Sequence, residues 1–194
     1  MAYVNFDSKE IHTKFLCFGP SGSGKTETFR SFLRQSSEDI QEGMLELGEG
    51  SKEFSFKFLP ISVGYIKDFH LKLHLFIPSQ STQMYETVEK VMFSGVDGVL
   101  FTFDSRLKSM DRNLVAFEEA SKRIEQAKLP FEKLSTVFQY NHKDEKTALA
   151  VKDMDRHLNH QQFASYQTCA KNDEGTPGVL DEISKMVIKK IIHT

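Results

Sequence analysis

The sequence predicts an α/β fold in which a mostly parallel sheet of six strands is flanked by helices. Short apolar runs of strand length alternate with amphipathic stretches of helix length along the chain. The predicted strands span residues 12–18, 54–59, 70–77, 96–104, 136–141 and 165–170. The longest apolar runs are far shorter than the ~20 residues that cross a bilayer, so no integral membrane contact is expected.

Two helices and two loops complete this outline. The clearest helix spans residues 112–128, where Leu114, Phe117 and Ile124 share one face. Residues 179–192 repeat the same apolar spacing. The segment 41–53 is rich in glycine and acidic residues and is predicted to be a mobile loop, and the Ser/Gln-rich segment 78–83 is predicted to be a second loop.

Composition limits the function classes. The 194 residues are expected to form one domain, 1–194, and to remain monomeric. With 25 basic and 27 acidic residues the formal net charge is −2, which argues against a nucleic-acid-binding protein. The N-terminal residues lack a secretory pattern, so a cytoplasmic location is expected. Cys17 and Cys169 are then expected to be buried, reduced thiols.

A phosphate-binding loop is the strongest motif. Residues Gly19-Pro20-Ser21-Gly22-Ser23-Gly24-Lys25-Thr26 match G-x-x-x-x-G-K-[ST] between a predicted strand and a helical run. Glycines let the backbone wrap a phosphate chain, and the following helix presents its positive end. The motif predicts a P-loop NTPase, a three-layer sandwich. The expected phosphate-binding residues are Gly19, Ser21, Gly22, Ser23, Gly24, Lys25, Thr26 and Glu27.

Two residues of this loop have more specific expected roles. Lys25 is expected to reach the β- and γ-phosphates and to act in catalysis, because its ammonium neutralises charge on the transferred group. Thr26 is the expected Mg²⁺ ligand, because its hydroxyl opens the helix beside the phosphates. The motif by itself does not choose between ATP and GTP.

Residues that would read the base follow the last two predicted strands. Asn141-His142-Lys143-Asp144 contains the N-x-x-D core of a guanine motif, although it also fits an ordinary polar loop. The Asp144 carboxylate can accept from both guanine N1–H and N2–H₂, whereas adenine presents an acceptor at N1. Cys169-Ala170-Lys171 closes the sixth predicted strand and looks like an S-A-K element, whose alanine N–H binds guanine O6. The expected base-binding residues are Asn141, Lys143, Asp144, Ala170 and Lys171.

The chain resembles the bacterial Ras-like GTPases of the MglA (mutual gliding motility) type along nearly its whole length. The resemblance implies a Ras-like P-loop fold and a GTP/GDP- and Mg²⁺-dependent switch that regulates cell polarity or motility. It further implies a roadblock-type activator, response-regulator-type polarity partners and recruitment to a cell pole. The segments that carry it are 5–14, the phosphate loop, Phe56-Lys57-Phe58-Leu59-Pro60, Gly95-Val96-Asp97-Gly98-Val99 and Phe103-Asp104-Ser105.

The departures from this family concern the expected switches. Lys52 and Glu53 stand where the family has an Arg-Thr pair that supplies a finger charge and a metal ligand. The second switch of the family reads Pro-Gly-Gln, but the segment 78–83 lacks the glycine, so Gln80 or Gln83 is left as the catalytic candidate that orients water. His142 replaces the lysine that packs across the guanine and the phosphate loop, which predicts weaker nucleotide binding.

Three functions therefore remain open at the level of sequence. The first is a small GTPase with slow or partner-dependent hydrolysis. The second is a pseudo-GTPase polarity adaptor that works through protein contacts without nucleotide cycling, and a small-molecule P-loop kinase is the third. Asp104 is interpreted as a helix N-cap together with Ser105, with a role in the nucleotide pocket as the alternative.

Overall fold

The structure is a computed structural model that describes residues 2–36, 43–48, 55–79 and 86–192. Eight strands and five α-helices alternate along these residues. The strands are β1 (Tyr3–Asn5), β2 (Glu10–Phe18), β3 (Leu45–Leu47), β4 (Phe56–Ile66), β5 (Phe69–Pro78), β6 (Gly98–Asp104), β7 (Ser135–Asn141) and β8 (Ala164–Gln167). The helices are α1 (Lys25–Gln35), α2 (Glu86–Phe93), α3 (Met110–Gln126), α4 (Val151–Leu158) and α5 (Thr176–Ile192).

All eight strands belong to one sheet; seven follow the order β3-β4-β5-β2-β6-β7-β8, and β1 lies off this path and pairs with β2. The strands from β5 to β8 in this order are parallel, whereas β3, β4 and the short β1 pair antiparallel with their neighbours. β1 pairs with the first half of β2, and β6 pairs with the second half. The predicted α/β class with a mostly parallel sheet and flanking helices is therefore confirmed.

The prediction of six strands was wrong, because β1 and β3 are also present. Each has only three residues, which is too few to show an alternating pattern. β3 lies within the segment 41–53 that was predicted to be a loop, and it pairs with Phe56–Phe58 of β4. The rest of that segment, apart from residues 43, 44 and 48, lies outside the described residues.

Two of the predicted strands also differ in length. β4 continues beyond residue 59, the predicted end, to Ile66 and includes Pro60. Pro60 is tolerated because β3 pairs only with residues 56–58, so the missing N–H costs no bond in the sheet. β8 ends at Gln167, and Ala170 lies in a 3₁₀ turn beyond it rather than closing the strand. The two predicted helices correspond to α3 and α5, which begin two and three residues earlier than expected.

The core has two layers because the sheet is buried on both faces. On one face, β2 contributes Phe15 and Cys17 to a cluster with α1 and α5, while Leu16 and Phe18 enter a cluster with α2, α3 and α4 on the other. Full burial of each such side chain contributes about 1.5–3 kcal/mol. The buried helix residues are Phe29, Phe32, Val179, Ile183 and Val187 on the first face and Met92, Phe93, Ala120, Ile124, Met154 and Leu158 on the second.

Two of the predictions made from sequence concern the cysteines and the absence of a membrane-spanning segment. Both cysteines are buried and free, as expected. Across the described parts of the chain, none of the helices combines the length and the apolar character that a bilayer crossing needs.

A row of four rings crosses the sheet from β4 to β1. Phe58 stacks on His74 with ring centroids 5.8 Å apart, His74 stacks on His12 at 5.1 Å, and His12 lies 6.0 Å from Tyr3. His12 Nδ1 and His74 Nε2 share a hydrogen bond of 2.8 Å. Burial, reinforced by the positive charge of neighbouring groups, lowers the pKa of His74 to about 4. His74 therefore remains neutral in the folded protein at neutral pH.

The depressed pKa of His74 predicts that the fold loses stability in mild acid. The unfolded chain binds this proton near pH 6.5, but the folded chain binds it only near pH 4. The unfolded state therefore takes up more protons as the pH falls from 6.5 towards 4, and the free energy of unfolding decreases. The variant His74→Phe, which keeps a ring beside Phe58, is expected to lose less stability over this range.

Urea unfolding at about pH 7 and about pH 5 measures this difference, because the slope of stability with pH counts the protons bound on unfolding. The window lies above the ordinary pKa of Glu10, 4.5, from which its bond from Lys72 lowers the pKa to about 2, so the stability that Glu10 contributes is mostly kept at pH 5. His157→Gln, at an exposed position on α4, is the control. Identical pH slopes for the parent and His74→Phe would contradict the prediction.

Candidate functional site

The glycine-rich loop lies between β2 and α1, at the carboxyl end of the parallel strands, as predicted. Gly19, Gly22 and Gly24 have φ angles of +142°, +77° and +96°, which glycine adopts readily. A Cβ on Gly19 would lie 2.0 Å from the carbonyl oxygen of Thr102. A Cβ on Gly24 would lie 2.1 Å from Asn141 Nδ2. Gly19 and Gly24 are therefore required both because their φ angles are positive and because a Cβ would clash with a neighbouring atom.

The start of α1 provides donors and positive charge. The N–H groups of Lys25, Thr26 and Glu27 have no acceptor within the helix, because the first turn precedes the i to i−4 pattern. The first helical bond of this turn runs from Thr28 N–H to the Gly24 carbonyl at 2.8 Å. The helix dipole adds partial positive charge at the same end. These features favour an anion in front of the loop.

Lys25 lies over the loop. Its Nζ donates to the carbonyl oxygens of Gly19 and Pro20, at 2.7 Å each. Burial lowers the pKa of this amine, so an anion bound beside it would stabilise the charged form.

The other loop residues differ in accessibility. Ser21 and Gly22 are exposed, and Thr26 is half-buried at the start of α1. Ser23 is fully buried, and its Oγ has no hydrogen-bond partner within the described residues. The Glu27 carboxylate pairs with Arg30 at 3.1 Å and with Arg34 at 3.5 Å. The cradle that a Cβ would fill, the helix-end donors and the Lys25 ammonium fit a phosphate chain, and Thr26 fits a metal ligand.

Asn141 joins the phosphate loop to the segment after β8. Its Nδ2 donates to the carbonyl oxygen of Ser23 at 2.9 Å. Its Oδ1 accepts the Ala170 N–H at 2.9 Å and the Thr168 hydroxyl at 3.2 Å. Asn141 is 2% exposed, so these bonds replace water almost completely. The Ala170 N–H, expected to bind guanine O6, thus donates to Asn141 in this structure.

Gln139 is a structural residue of the site that sequence reasoning missed. It is fully buried in β7, and its Nε2 donates to the hydroxyls of Thr28 and Thr168 at 2.8 and 3.0 Å. Its Oε1 accepts the Thr102 hydroxyl at 3.3 Å. A glutamine within the apolar strand Thr-Val-Phe-Gln-Tyr was the available signal, since a buried amide requires partners.

Asp144, the residue expected to read the base, is exposed next to the 3₁₀ turn Ala170–Asn172. The thiol of Cys169 donates to Asp144, and this bond is the main cause that lowers the pKa of Asp144. The charge of Lys171 acts in the same direction. Lys143 forms an ion pair with Glu174 at 2.7 Å, and its N–H donates to the Thr168 carbonyl at 3.0 Å. Lys143 thus ties two loops together through its side chain and its backbone.

His142 keeps a contact with the phosphate loop. Its Nε2 lies 3.1 Å from the carbonyl oxygen of Gly22, within hydrogen-bond distance. The residue adopts a left-handed φ of +68°, which directs the ring from the end of β7 towards the loop. The imidazole therefore contacts the phosphate loop. The weaker nucleotide binding expected from the missing lysine stays a prediction.

The interpretation of Asp104 as a helix N-cap was wrong. Asp104 is the last residue of β6, and α3 begins only at Met110. Its buried carboxylate accepts from the Arg106 guanidinium at 2.7 and 2.9 Å and from the Ser109 hydroxyl at 2.8 Å. Ser105 donates its hydroxyl to the Asn141 carbonyl at 2.6 Å. The Arg106 pair competes with helix capping because a charged partner binds a buried carboxylate more strongly.

The side chains expected to act in the switches cannot be placed. Lys52, Glu53, Gln80 and Gln83 lie outside the described residues. The structure thus brings together the predicted phosphate loop, Asn141 and Ala170, with Asp144 and Lys171 beside the Cys169 turn. Arg34 was not predicted. It binds both carboxylate oxygens of Asp173 and the Ala170 carbonyl, which anchors this turn to α1.

Comparisons with known proteins extend beyond the loop. No family model matches the chain. The chain is 30% identical over 193 residues to the mutual gliding-motility protein MglA of Myxococcus xanthus (strain DK1622), and the match covers 98% of each chain. A similarity of this length includes the sheet and the outer helices, and not only the glycine-rich loop shared by many unrelated nucleotide-binding proteins.

The contact between Gly24 and Asn141 predicts different costs for two neighbouring glycine substitutions. In Gly24→Ala the new methyl group displaces the Asn141 amide, so we expect a loss of about 2–4 kcal/mol in unfolding free energy. In Gly22→Ala the methyl group meets nothing within 4 Å. Only the strain of a positive φ remains, at about 1–2 kcal/mol. Urea unfolding measures both, and equal losses would show that the Asn141 contact is unimportant.

Proposed function

The chain belongs to the family of the mutual gliding-motility protein MglA, and from this premise we propose that it is a Ras-like switch protein that binds GTP and GDP. The observation that carries the proposal is the position of Asn141. Its side chain links Ser23 of the phosphate loop to Ala170, and this link supports a single nucleotide site made of the predicted phosphate-binding and base-binding segments.

The phosphate chain is assigned to the loop and the start of α1. Backbone N–H groups from Gly22 to Glu27 bind its oxygens, and Lys25 moves from its carbonyl partners to the β- and γ-phosphates. Mg²⁺, when bound with the nucleotide, neutralises phosphate charge, and Thr26 is the ligand assigned to it.

The base is assigned to Asp144 and the neighbouring turn. Asp144 is exposed and its pKa lies below the ordinary value, so it is ionised at neutral pH, and an ionised carboxylate accepts both donors on the guanine edge. The Ala170 N–H is the donor for O6 and shares or exchanges its present bond to Asn141. Lys143 and Lys171 are assigned to the base site beside Asp144. Lys143 holds the segment 141–144 to Glu174, and the charge of Lys171 adds to the bond from Cys169 in lowering the pKa of Asp144.

Hydrolysis is proposed to be slow without a partner. A water attacks the γ-phosphate in line with the leaving oxygen, and Lys25 stabilises the developing charge. A lysine such as Lys52 lacks the bidentate geometry of an arginine finger, and Glu53 would bring a carboxylate where the family has a threonine hydroxyl. Gln80 or Gln83 is proposed to orient the water. A partner protein would then supply the positive charge that an arginine finger gives to the transition state.

The cellular role is proposed from the family. The protein acts as one domain, 1–194, as a monomer and in the cytoplasm, and regulates cell polarity or gliding motility. A roadblock-type activator and response-regulator-type polarity proteins are the proposed partners, with recruitment to a cell pole. A pseudo-GTPase adaptor, which binds partners equally with and without nucleotide, is the competing function that the following experiments test.

The proposed base contact predicts an exchange of specificity. Asp144→Asn replaces an acceptor with an amide that can donate to the O2 of xanthine, so we expect GTP affinity to fall by about 100-fold or more and xanthosine triphosphate to bind more tightly than GTP. Titration with fluorescently labelled nucleotides measures both affinities. Lys25→Ala is the control, because it should weaken all triphosphates without changing the preferred base.

If the parent protein binds no guanine nucleotide, the proposed switch is wrong and the adaptor function is favoured. If Asp144→Asn weakens GTP and xanthosine triphosphate equally, Asp144 does not read the base. Asp144 is exposed, so Asp144→Asn is expected to leave the fold intact.

The departures in the switches predict a low intrinsic rate. In a single-turnover assay with excess protein, we expect GTP hydrolysis at least about 100-fold slower than that of GTPases with an arginine in cis. Glu53→Thr and Lys52→Arg together are expected to raise the rate. Rapid turnover by the unmodified protein alone would contradict the prediction.

A further inference from the structure

Arg123, on α3, contacts three segments that border the phosphate site. Its Nε donates to Glu89 Oε1 at 2.7 Å, and its Nη1 donates to the carbonyl oxygen of Ser79 at 3.2 Å. The guanidinium carbon also lies 5.8 Å from the ring centre of Phe18 and 5.6 Å from that of Phe93. The Arg123 side chain is 21% exposed, so these contacts replace most of its hydration.

The residues that Arg123 contacts lie next to the phosphate loop or on either side of the predicted second switch. Phe18 is the last residue of β2 and precedes the phosphate loop, which begins at Gly19. Ser79 directly follows β5, at the start of the predicted second switch, 78–83. Glu89 and Phe93 belong to α2, which follows that segment. Arg123 therefore connects the residue before the phosphate loop to both flanks of the predicted second switch.

The bond to Ser79 distinguishes Arg123 from an ordinary ion pair on a helix surface. The Ser79 carbonyl oxygen can accept a hydrogen bond but cannot pair with a charge as a carboxylate does. The planar guanidinium of Arg123 donates to Glu89 from Nε and to Ser79 from Nη1 at the same time. Partial burial beside Phe18 and Phe93 strengthens both bonds, because fewer waters compete for the guanidinium. The Ser79 N–H is already bonded to the Ser55 carbonyl at 3.1 Å, and β5 pairs with β2 as far as Phe76. Arg123 adds a donor to the Ser79 carbonyl, and so holds the backbone just beyond the end of β5 to α3 and to Phe18.

We propose that Arg123 is a positioning residue that fixes the backbone at Ser79 relative to the phosphate loop, and so sets the difference in affinity between GTP and GDP. The inference rests on the proposed nucleotide switch. Lys25 already gives the loop a contact to the γ-phosphate, and groups outside the loop add to the difference in affinity only if they are held where they can respond to that phosphate. Arg123 touches no phosphate, and it acts through Ser79.

The test compares Arg123→Met with Glu89→Ala. Arg123→Met removes the donor to Ser79 and the ion pair, whereas Glu89→Ala removes the ion pair and leaves Arg123 able to donate to Ser79. Arg123→Lys keeps a cation that donates from a single point, so it is a partial rescue. Arg156→Gln, whose side chain is 74% exposed on α4 in a surface pair with Asp153, is the matched control.

Each protein is titrated with labelled GDP and with a non-hydrolysable GTP analogue, and its unfolding is followed in urea. We expect Arg123→Met to bring the two dissociation constants about tenfold closer together. Glu89→Ala should lose stability but keep the difference in affinity, Arg123→Lys should fall between Arg123→Met and the parent, and Arg156→Gln should match the parent.

Three results would overturn the inference. If Glu89→Ala reduces the difference in affinity as much as Arg123→Met, Arg123 is only a structural ion pair. An unchanged difference in Arg123→Met shows that Ser79 does not transmit the effect. Equal affinity of the parent for both nucleotides leaves no γ-phosphate-dependent state to position. A parent that binds no guanine nucleotide is a separate failure, because it removes the proposed function first.

Discussion

The buried carboxamide of Asn141 is the interaction on which the candidate site depends. Its two polar atoms hold Ser23 in the phosphate loop and Ala170 beyond β8, so two segments distant in sequence share one anchor. Burying an amide costs free energy unless its hydrogen bonds are made, and each bond left open costs about 1–3 kcal/mol. The loop can meet this requirement only if the residue facing Asn141 has no side chain, which explains the glycine at 24 beyond its need for a positive φ.

Buried or partly buried hydrogen bonds also hold α1, the helix that presents the phosphate donors. Thr28 in the first turn of α1 accepts from Gln139, and the Ser31 hydroxyl shares a 2.7 Å bond with that of Thr176. Near the end of α1, Arg34 binds Asp173. α1 is thus tied along its length to β7, α5 and the turn after β8. A phosphate site built on a helix end needs that end held still, because a positioned donor loses less entropy when the ligand binds.

Much of this arrangement could be predicted from sequence because it follows local rules. The glycine-rich motif, flanked by an apolar strand and a helical run, placed Lys25 and Thr26 correctly in the fold, and the N-x-x-D spacing put Asn141 at a strand end. β1 and β3 were missed because three residues carry no periodicity. Arg123 and Gln139 were missed for another reason: their roles depend on partners between 29 and 111 residues away, which no local pattern encodes.

The departures from the family have unequal consequences. His142 remains in contact with Gly22, and Cys169 remains a donor to Asp144, so both changed residues keep a bond within the pocket. The bonds of Asn141 and Gln139 join the phosphate loop, α1, β6 and the segment after β8. Under the proposed function, substitutions at positions 52, 53, 80 and 83 are therefore expected to change the rate of hydrolysis more than the affinity for nucleotide. Lys25 is the exception, because it is proposed both to bind the phosphates and to stabilise the charge that develops in hydrolysis.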